Sequence, residues 1–390
     1  MNRLEYVLAS ALLRLVGAIA SLRPVDRRRV VLATARVPTL DGSLAYAYAA
    51  MRERHPELRY ILLLEPYSYG LRGRLAYLVR LVRGMYLLRT SGLFIVDNAY
   101  LPIHVAPHRR ETTVVQVWHA VGALKRFGVD TLTPLSEPER TFLHRYYDFV
   151  VVPAEGTRAP YSAALRTPME RVLALGSPRT DFFFDPEAMA AARARLLAGH
   201  PSLAGRTVVL YAPTFRGRGR DKYAGIGLDA TRLRAALPAD HALVLKTHPN
   251  LDPAATPRDG YDVVAEPASE MNDWLALADI FITDYSSSIF EYALLRRPLI
   301  LLVPDLATYE LDPGLYLDYR TEMIGTQVTD TDGVIAAIVE GRFDLAGYDA
   351  FIERHIGVED GGASARFVTR FLGEVPSNGG DNLRRDVRHH

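Results

Sequence analysis

The chain has 390 residues, of which 49% are hydrophobic and 23% charged, and it contains no cysteine. That length supports two domains of about 180 residues each, and the composition excludes global disorder, a disulfide framework and thiolate metal sites. The net charge is +1, but residues 1–110 carry 17 Arg against 7 Asp and Glu, a basic bias that suits a polyanion or an anionic membrane surface. Lysine is confined to Lys125, Lys222 and Lys246.

Tyr6 to Leu22 is largely apolar but is broken by Arg14. The central charge argues against a spanning helix, and a signal peptide would want a cleaner apolar core and a small-residue cleavage site. Leu4, Val7, Leu8, Ala11, Leu12, Leu15, Ala18 and Ile19 recur at helical spacing, which predicts an amphipathic helix that packs on the protein or lies in a membrane interface. Arg29 to Thr34 is the first strand, Leu44 to His55 a helix and Arg59 to Glu65 the second strand. This alternation implies a parallel, doubly wound sheet. Leu71 to Thr90 is a helix in which Arg72, Arg74, Arg80, Arg83 and Arg89 interleave with apolar residues. It is either a solvated face whose Arg stems cover apolar surface or a basic amphipathic helix for anionic lipid.

Gly92 to Asn98 is a further strand. Val114 to Trp118 is the next and ends at His119, ahead of the small residues Ala120, Gly122 and Ala123. A histidine there sits at the ligand-binding edge of an α/β sheet, where it is suited to general-base work near neutral pH. A purely structural histidine is the competing reading. Phe149 to Pro153 and Val172 to Leu175 are strands. The second runs into Gly176-Ser-Pro-Arg-Thr-Asp181, a turn from which Arg179 reaches a phosphate or pairs with Asp181. Phe182 to Phe184 are expected to plug an inter-domain seam. The domains are placed at 1–185 and 186–374, with a disordered polar tail at 375–390.

The second half opens with a strand at Thr207 to Tyr211, leading to Thr214, Arg216 and an arginine-rich loop with Arg218, Arg220 and Lys222. That loop is a flap over an anionic ligand or plain surface. His241 to Leu245 is a strand that ends at Lys246-Thr-His248-Pro249, a second histidine at a strand's carboxyl end. Ile280 to Ile282 leads into Thr283-Asp-Tyr-Ser-Ser-Ser288, a helix from about Ser287, and the strand Leu299 to Val303. The turn offers serine hydroxyls, backbone N–H groups and a positive dipole end, which suit a phosphate. Glu291, one turn on, is placed to reach a ribose hydroxyl. The plain reading is a βαβ unit with a serine-rich cap. Asp305 to Arg320 reads as a tyrosine-rich loop, and Asp360 opens a final helix to about Leu372.

Six blocks in this order resemble the CDP-glycerol glycerophosphotransferase family, the teichoic acid primases and polymerases. They are Gln116-x-Trp118-His119 with Lys125; Gly176-Ser-Pro-Arg-Thr-Asp181; Tyr211-Ala-Pro-Thr-Phe-Arg216; Lys246-Thr-His-Pro249; Thr283-Asp-Tyr-Ser-Ser-Ser-Ile-Phe-Glu-Tyr292; and Asp360-Gly-Gly-Ala-Ser364. They span roughly residues 90–372. Ala120 stands where the family usually has Gly, and Tyr316-Leu-Asp318 where it tends to have Arg-Gly-Phe/Tyr. Against the long polymerases of the family the sequence shows no extra N-terminal region, which leans the expectation toward a primase-like or single-unit transferase.

The resemblance implies an α/β protein of GT-B type, with two Rossmann-like domains facing across a cleft. It implies a CDP-linked donor, glycerol phosphate first and ribitol phosphate second, in the C-terminal domain. A prenyl-diphosphate-linked acceptor would bind the N-terminal domain, at the cytoplasmic face of the membrane. His119 would be the general base and His248 would stabilise the pyrophosphate or departing CMP. Ser286 and Ser287 would hold phosphate and Glu291 ribose, while Arg179, Thr214, Arg216, Lys246 and Thr283 would complete the donor site. No acidic metal pair is evident around Asp284, so neither metal nor cofactor is expected, nor is nucleic acid a partner; an oligomer is left open. Two alternatives remain: a nucleotide-sugar transferase of the same architecture, and a non-catalytic binding protein.

Overall fold

The computed structural model describes residues 3–65, 70–216, 223–224, 227–247 and 258–374. Six parallel strands build the first sheet: β1 (Asp26–Thr34), β2 (Arg59–Leu64), β3 (Ser91–Val96), β4 (Thr113–Gln116), β5 (Phe149–Val152) and β6 (Val172–Ala174), in the order β2-β1-β3-β4-β5-β6. Six more build the second: β7 (Thr207–Tyr211), β8 (His241–Lys246), β9 (Val263–Ala265), β10 (Ile280–Thr283), β11 (Leu299–Leu302) and β12 (Thr326–Val328), in the order β9-β8-β7-β10-β11-β12. Val30 to Ala33, Phe94 to Val96 and Val208 to Leu210 are all buried. Continuous burial is what a parallel sheet covered on both faces requires, and it explains why these runs read as unbroken apolar segments.

The strand order reverses beside β1 and β3 in the first sheet and beside β7 and β10 in the second. In such sheets the crevice beyond the carboxyl ends of the switching strands is the preferred ligand site. The switch points therefore single out Asp97, just after β3, and Thr214 and Asp284, just after β7 and β10.

Helices α1 (Arg3–Ala20), α2 (Gly42–Arg54) and α3 (Leu71–Thr90) cover the first sheet. Helix α4 (Pro186–Gly199) begins at the expected domain boundary with Asp185 as its cap, whose carboxylate accepts from the Ala188 N–H at 2.9 Å. Proline at the first helical position and an Asp cap are the local reasons for a start there. Helices α5 (Met271–Leu277) and α6 (Ser288–Ala293) flank the second sheet. Phe182 and Phe183 join the core of the second domain, consistent with a role at the seam.

Two features differ from the sequence reading. Helix α7 (Ala363–Leu372) was expected within a 186–374 domain, but it packs on the first sheet. Phe367 and Val368 share a core with Val30, Leu32, Leu44 and Val115. Asp181 anchors it, accepting from the N–H groups of Ala363 (3.0 Å) and Ser364 (2.8 Å). The pairing spans 182 residues, so no local pattern reveals it. Within the predicted loop 305–320, Leu306–Leu311 is helical, and Tyr319–Glu322 forms another short helix. The predicted tail 375–390 lies outside the described residues.

The domains meet along a strap. Lys125 and Leu315 form an antiparallel bridge, the Arg126 N–H donates to Gly314 O at 2.9 Å, and the Tyr316 N–H to Leu124 O at 2.9 Å. Gly122 has φ +70°, and a Cβ there would lie 2.5 Å from the Phe290 ring of α6. Only glycine meets both the backbone and the steric demand.

Candidate active site

Gln116 ends β4 fully buried. Its Nε2 donates to Asn98 O (3.2 Å) and lies 3.1 Å from the Tyr147 hydroxyl, while its Oε1 accepts the Trp118 N–H at 2.9 Å. Trp118 has φ +50°, a conformation in which a bulky residue stores about 1–3 kcal/mol and persists only when its surroundings hold it. The Gln116 carboxamide is one such restraint. A stack on Phe127, with centroids 4.8 Å apart, is another. This turn sets His119 at the carboxyl edge of the sheet.

His119 Nδ1 lies 3.1 Å from the Asp97 carbonyl oxygen. A carbonyl only accepts, so Nδ1 carries the proton and the lone pair sits on Nε2, the form a general base needs. Burial pushes the Asp97 carboxyl up, against Arg36 at 3.6 Å. Ala120 is not among the residues with positive φ, so alanine fits the usual glycine position without backbone strain. The Tyr161 hydroxyl is 2.9 Å from both Ala120 O and Gly122 O and pins the loop from below.

Arg179 bridges the domains. Its Nη1 donates to His119 O at 2.9 Å, its Nε lies 2.7 Å from Glu291 Oε1 and its Nη2 3.9 Å from Glu270. The alternative pairing with Asp181 is not formed, because Asp181 caps α7. The Glu291 side chain is only 2% exposed. Burial pushes its carboxyl up against the pull of Arg179. The expected ribose contact thus meets a carboxylate already engaged by arginine.

At the strand ends of the second sheet, the Thr214 N–H and hydroxyl donate to Asp284 at 2.8 and 2.9 Å. Arg216 contacts Asp284 (2.9 Å) and grips Asp305 in a fork (2.8 and 3.2 Å) beside the stacked Tyr285 and Tyr309 rings. Burial alone would raise the Asp305 carboxyl, but Arg216 holds it below its ordinary value. Arg216, expected along the phosphate path, is paired with two carboxylates in this structure and ties the two loops together. Thr283 is buried and donates to Ala212 O at 2.7 Å, so it also acts within the strand ends. Lys246 donates to Pro267 O at 2.7 Å, and burial lowers its ammonium to about 8. Ser286 and Ser287 are partly exposed at the mouth of the second sheet, where they remain open to a ligand. Lys125 reaches across the seam to lie 5.3 Å from the Tyr309 ring centre. His248, Arg218, Arg220 and Lys222 lie outside the described residues.

The structure therefore gathers His119, Arg179 and Glu291 at the seam and Thr214, Arg216, Lys246, Thr283, Ser286 and Ser287 at the ends of the second sheet. Sequence reasoning missed Asp97, Tyr161 and Asp305. Each acts through a backbone atom or a partner distant in sequence, so no spacing signals it.

Residues 15–373 match the family described as CDP-glycerol:poly(glycerophosphate) glycerophosphotransferase. The chain belongs to this family. It is 32% identical over 372 residues to the teichoic acid ribitol-phosphate primase of Bacillus spizizenii, covering 93% of this chain and 95% of that one. It is 27% identical over 297 residues to the teichoic acid glycerol-phosphate primase of Bacillus subtilis, covering 74% and 76%. Its fold matches the wall teichoic acid polymerase TagF with a TM-score of 0.72 at 21% identity, covering 95% and 96%. The GT-B expectation holds for this glycerophosphotransferase-family chain: two parallel six-stranded sheets present their carboxyl edges to a shared seam.

Proposed function

We propose that the protein transfers a polyol phosphate from a CDP-linked donor to a hydroxyl of a prenyl-diphosphate-linked acceptor, releasing CMP. The carrying observation is the His119 Nδ1 contact with Asp97 O, which puts the proton of the neutral ring on Nδ1 and makes Nε2 the nitrogen to which we assign the acceptor proton. The acceptor oxygen attacks the polyol-bearing phosphorus, the bond to the bridging oxygen breaks, and that oxygen leaves with CMP. Ser286 and Ser287 hold donor phosphate, and Lys246 and His248 offset charge on the departing nucleotide. Positioning and charge neutralisation carry most of such a reaction. No metal is assigned a part in it.

The family description names glycerophosphate, and we take glycerol phosphate as the first donor to test. The ribitol reading has a specific observation in its favour: higher identity over more of the chain to the ribitol-phosphate primase. A donor panel tests both. CMP release from CDP-glycerol or CDP-ribitol supports the proposal, and whichever gives the higher kcat/KM names the polyol. UDP release from nucleotide-sugars with neither CDP donor used would overturn it.

The acceptor implies a membrane face, and α1 and α3 supply a candidate. Leu8 (61% exposed), Leu15 (60%), Leu22 (85%) and Val79 (61%) present apolar surface. Between the two helices runs a groove of about 500 Å³ edged by Arg23 and Arg83. Apolar side chains beside arginines suit the interface of an anionic bilayer. No helix among the described residues is long and apolar enough to cross a membrane. Co-sedimentation with phosphatidylglycerol vesicles is expected and should weaken for the Leu8→Asp/Leu15→Asp double variant. Equal recovery with neutral vesicles and no effect of the substitutions would exclude this face.

A further inference from the structure

The residue that joins the two halves of the site is Arg179. Its side chain is 13% exposed, and two of its nitrogens are engaged within the protein: Nη1 by His119 O at 2.9 Å and Nε by Glu291 at 2.7 Å. Its own carbonyl accepts from Asn272 Nδ2 of α5 at 3.3 Å. Main chain and side chain are thus both tied to the second domain, while the guanidinium holds the backbone of the proposed base in the first.

Glu291 belongs to α6, which begins directly after Ser286 and Ser287. Phe290 on the same helix packs against Gly122, three residues beyond His119. One short helix therefore carries the donor loop at its start and touches the His119 loop twice, through Phe290 and through the Glu291–Arg179 pair. A buried guanidinium held by one hydrogen bond, to His119 O, and by one close ion pair, to Glu291, has little freedom to swing toward a ligand.

We infer that Arg179 is a positioning residue: anchored by Glu291, it fixes the main chain of His119 and couples the base to the helix that bears the donor loop. This rests on the reading of His119 as the base. It differs from the assignment of Arg179 to phosphate and Glu291 to ribose, because those roles require both side chains to contact the donor.

The test compares Glu291→Gln and Arg179→Lys with wild type. Glu291→Gln is nearly isosteric and guards against a mere folding defect. CDP affinity is measured by calorimetry, and kcat from CMP release with a saturating CDP-polyol. Positioning predicts a kcat lower by about 10- to 100-fold, with the CDP Kd within about threefold of wild type. Added CDP should also shift the His119 ring resonances in the wild-type NMR spectrum, and this shift should vanish in Glu291→Gln although CDP still binds. A Kd raised about tenfold or more with kcat preserved would instead place these residues on the donor and overturn the inference, as would unchanged kcat in both variants. Full turnover by His119→Ala would remove the base reading itself, a separate outcome from any result at Arg179 or Glu291.

Discussion

Replacing Gln116 by Leu probes the turn that presents His119. The side chain is fully buried, and leucine fills nearly the same volume without hydrogen-bonding capacity. The Trp118 N–H then loses its acceptor, and Asn98 O loses its donor. The Tyr147 hydroxyl keeps a partner, because His144 Nδ1 lies 3.0 Å away. Each buried polar group left unpaired costs about 1–3 kcal/mol. Relaxation of Trp118 out of its left-handed conformation returns some of the roughly 1–3 kcal/mol stored there. The net destabilisation should be about 2–3 kcal/mol, read by denaturant titration. That relaxation moves His119, and a displacement of about 1 Å at a reacting group costs on the order of a hundredfold in rate. The expected result is a kcat about 100-fold lower with donor affinity retained. A kcat within threefold of wild type, in a protein destabilised as predicted, would refute the argument that this carboxamide sets the base.

Burial holds His104 down at about 4 and, with Arg354, His355 at about 4; it also holds His144 well below its ordinary value, helped by His104 and Arg166. An unfolded histidine titrates near about 6.5, so the unfolded chain binds more protons between there and about 4, and stability falls as pH drops through that window. For His104 alone the full loss is about 3 kcal/mol, and an unfolding free energy whose fall from pH 7 to about 4.5 is the same in His104→Gln as in wild type would contradict this. Gly122→Ala forces a Cβ onto Phe290 at positive φ and should lower stability by about 2–4 kcal/mol, with a matching fall in melting temperature. Lys246 loses its charge above about pH 8, so donor affinity should weaken through that pH and the dependence should disappear in Lys246→Met. Activity should survive exhaustive EDTA treatment; recovery only on adding magnesium would show that a cation takes part.

The parallel sheets were legible because their strands are buried on both faces, which writes long apolar runs such as Arg29 to Thr34 and Thr207 to Tyr211 directly into the chain. His119 was legible because it follows such a run. The destination of α7 was not, since its anchor Asp181 lies 182 residues away and its amphipathic face fits either domain. The structure brings Arg179 and Glu291 together at the seam and sets Arg216 at the strand ends of the second sheet, but the sequence did not indicate their partners. Side chains of opposite charge neutralise one another across 89 residues in the case of Arg216 and Asp305, and local pattern is silent on such pairings. Ser286 and Ser287 kept their predicted role open, as partly exposed side chains at the mouth of the second sheet.

The most direct measurement incubates the purified protein with a CDP-polyol and a short-chain prenyl-diphosphate disaccharide, then weighs the lipid product beside a His119→Ala control. The account predicts an acceptor heavier by one or more polyol-phosphate units, matched mole for mole by CMP and absent in the control. An acceptor of unchanged mass with both CDP-glycerol and CDP-ribitol, from protein that binds CDP, would contradict it.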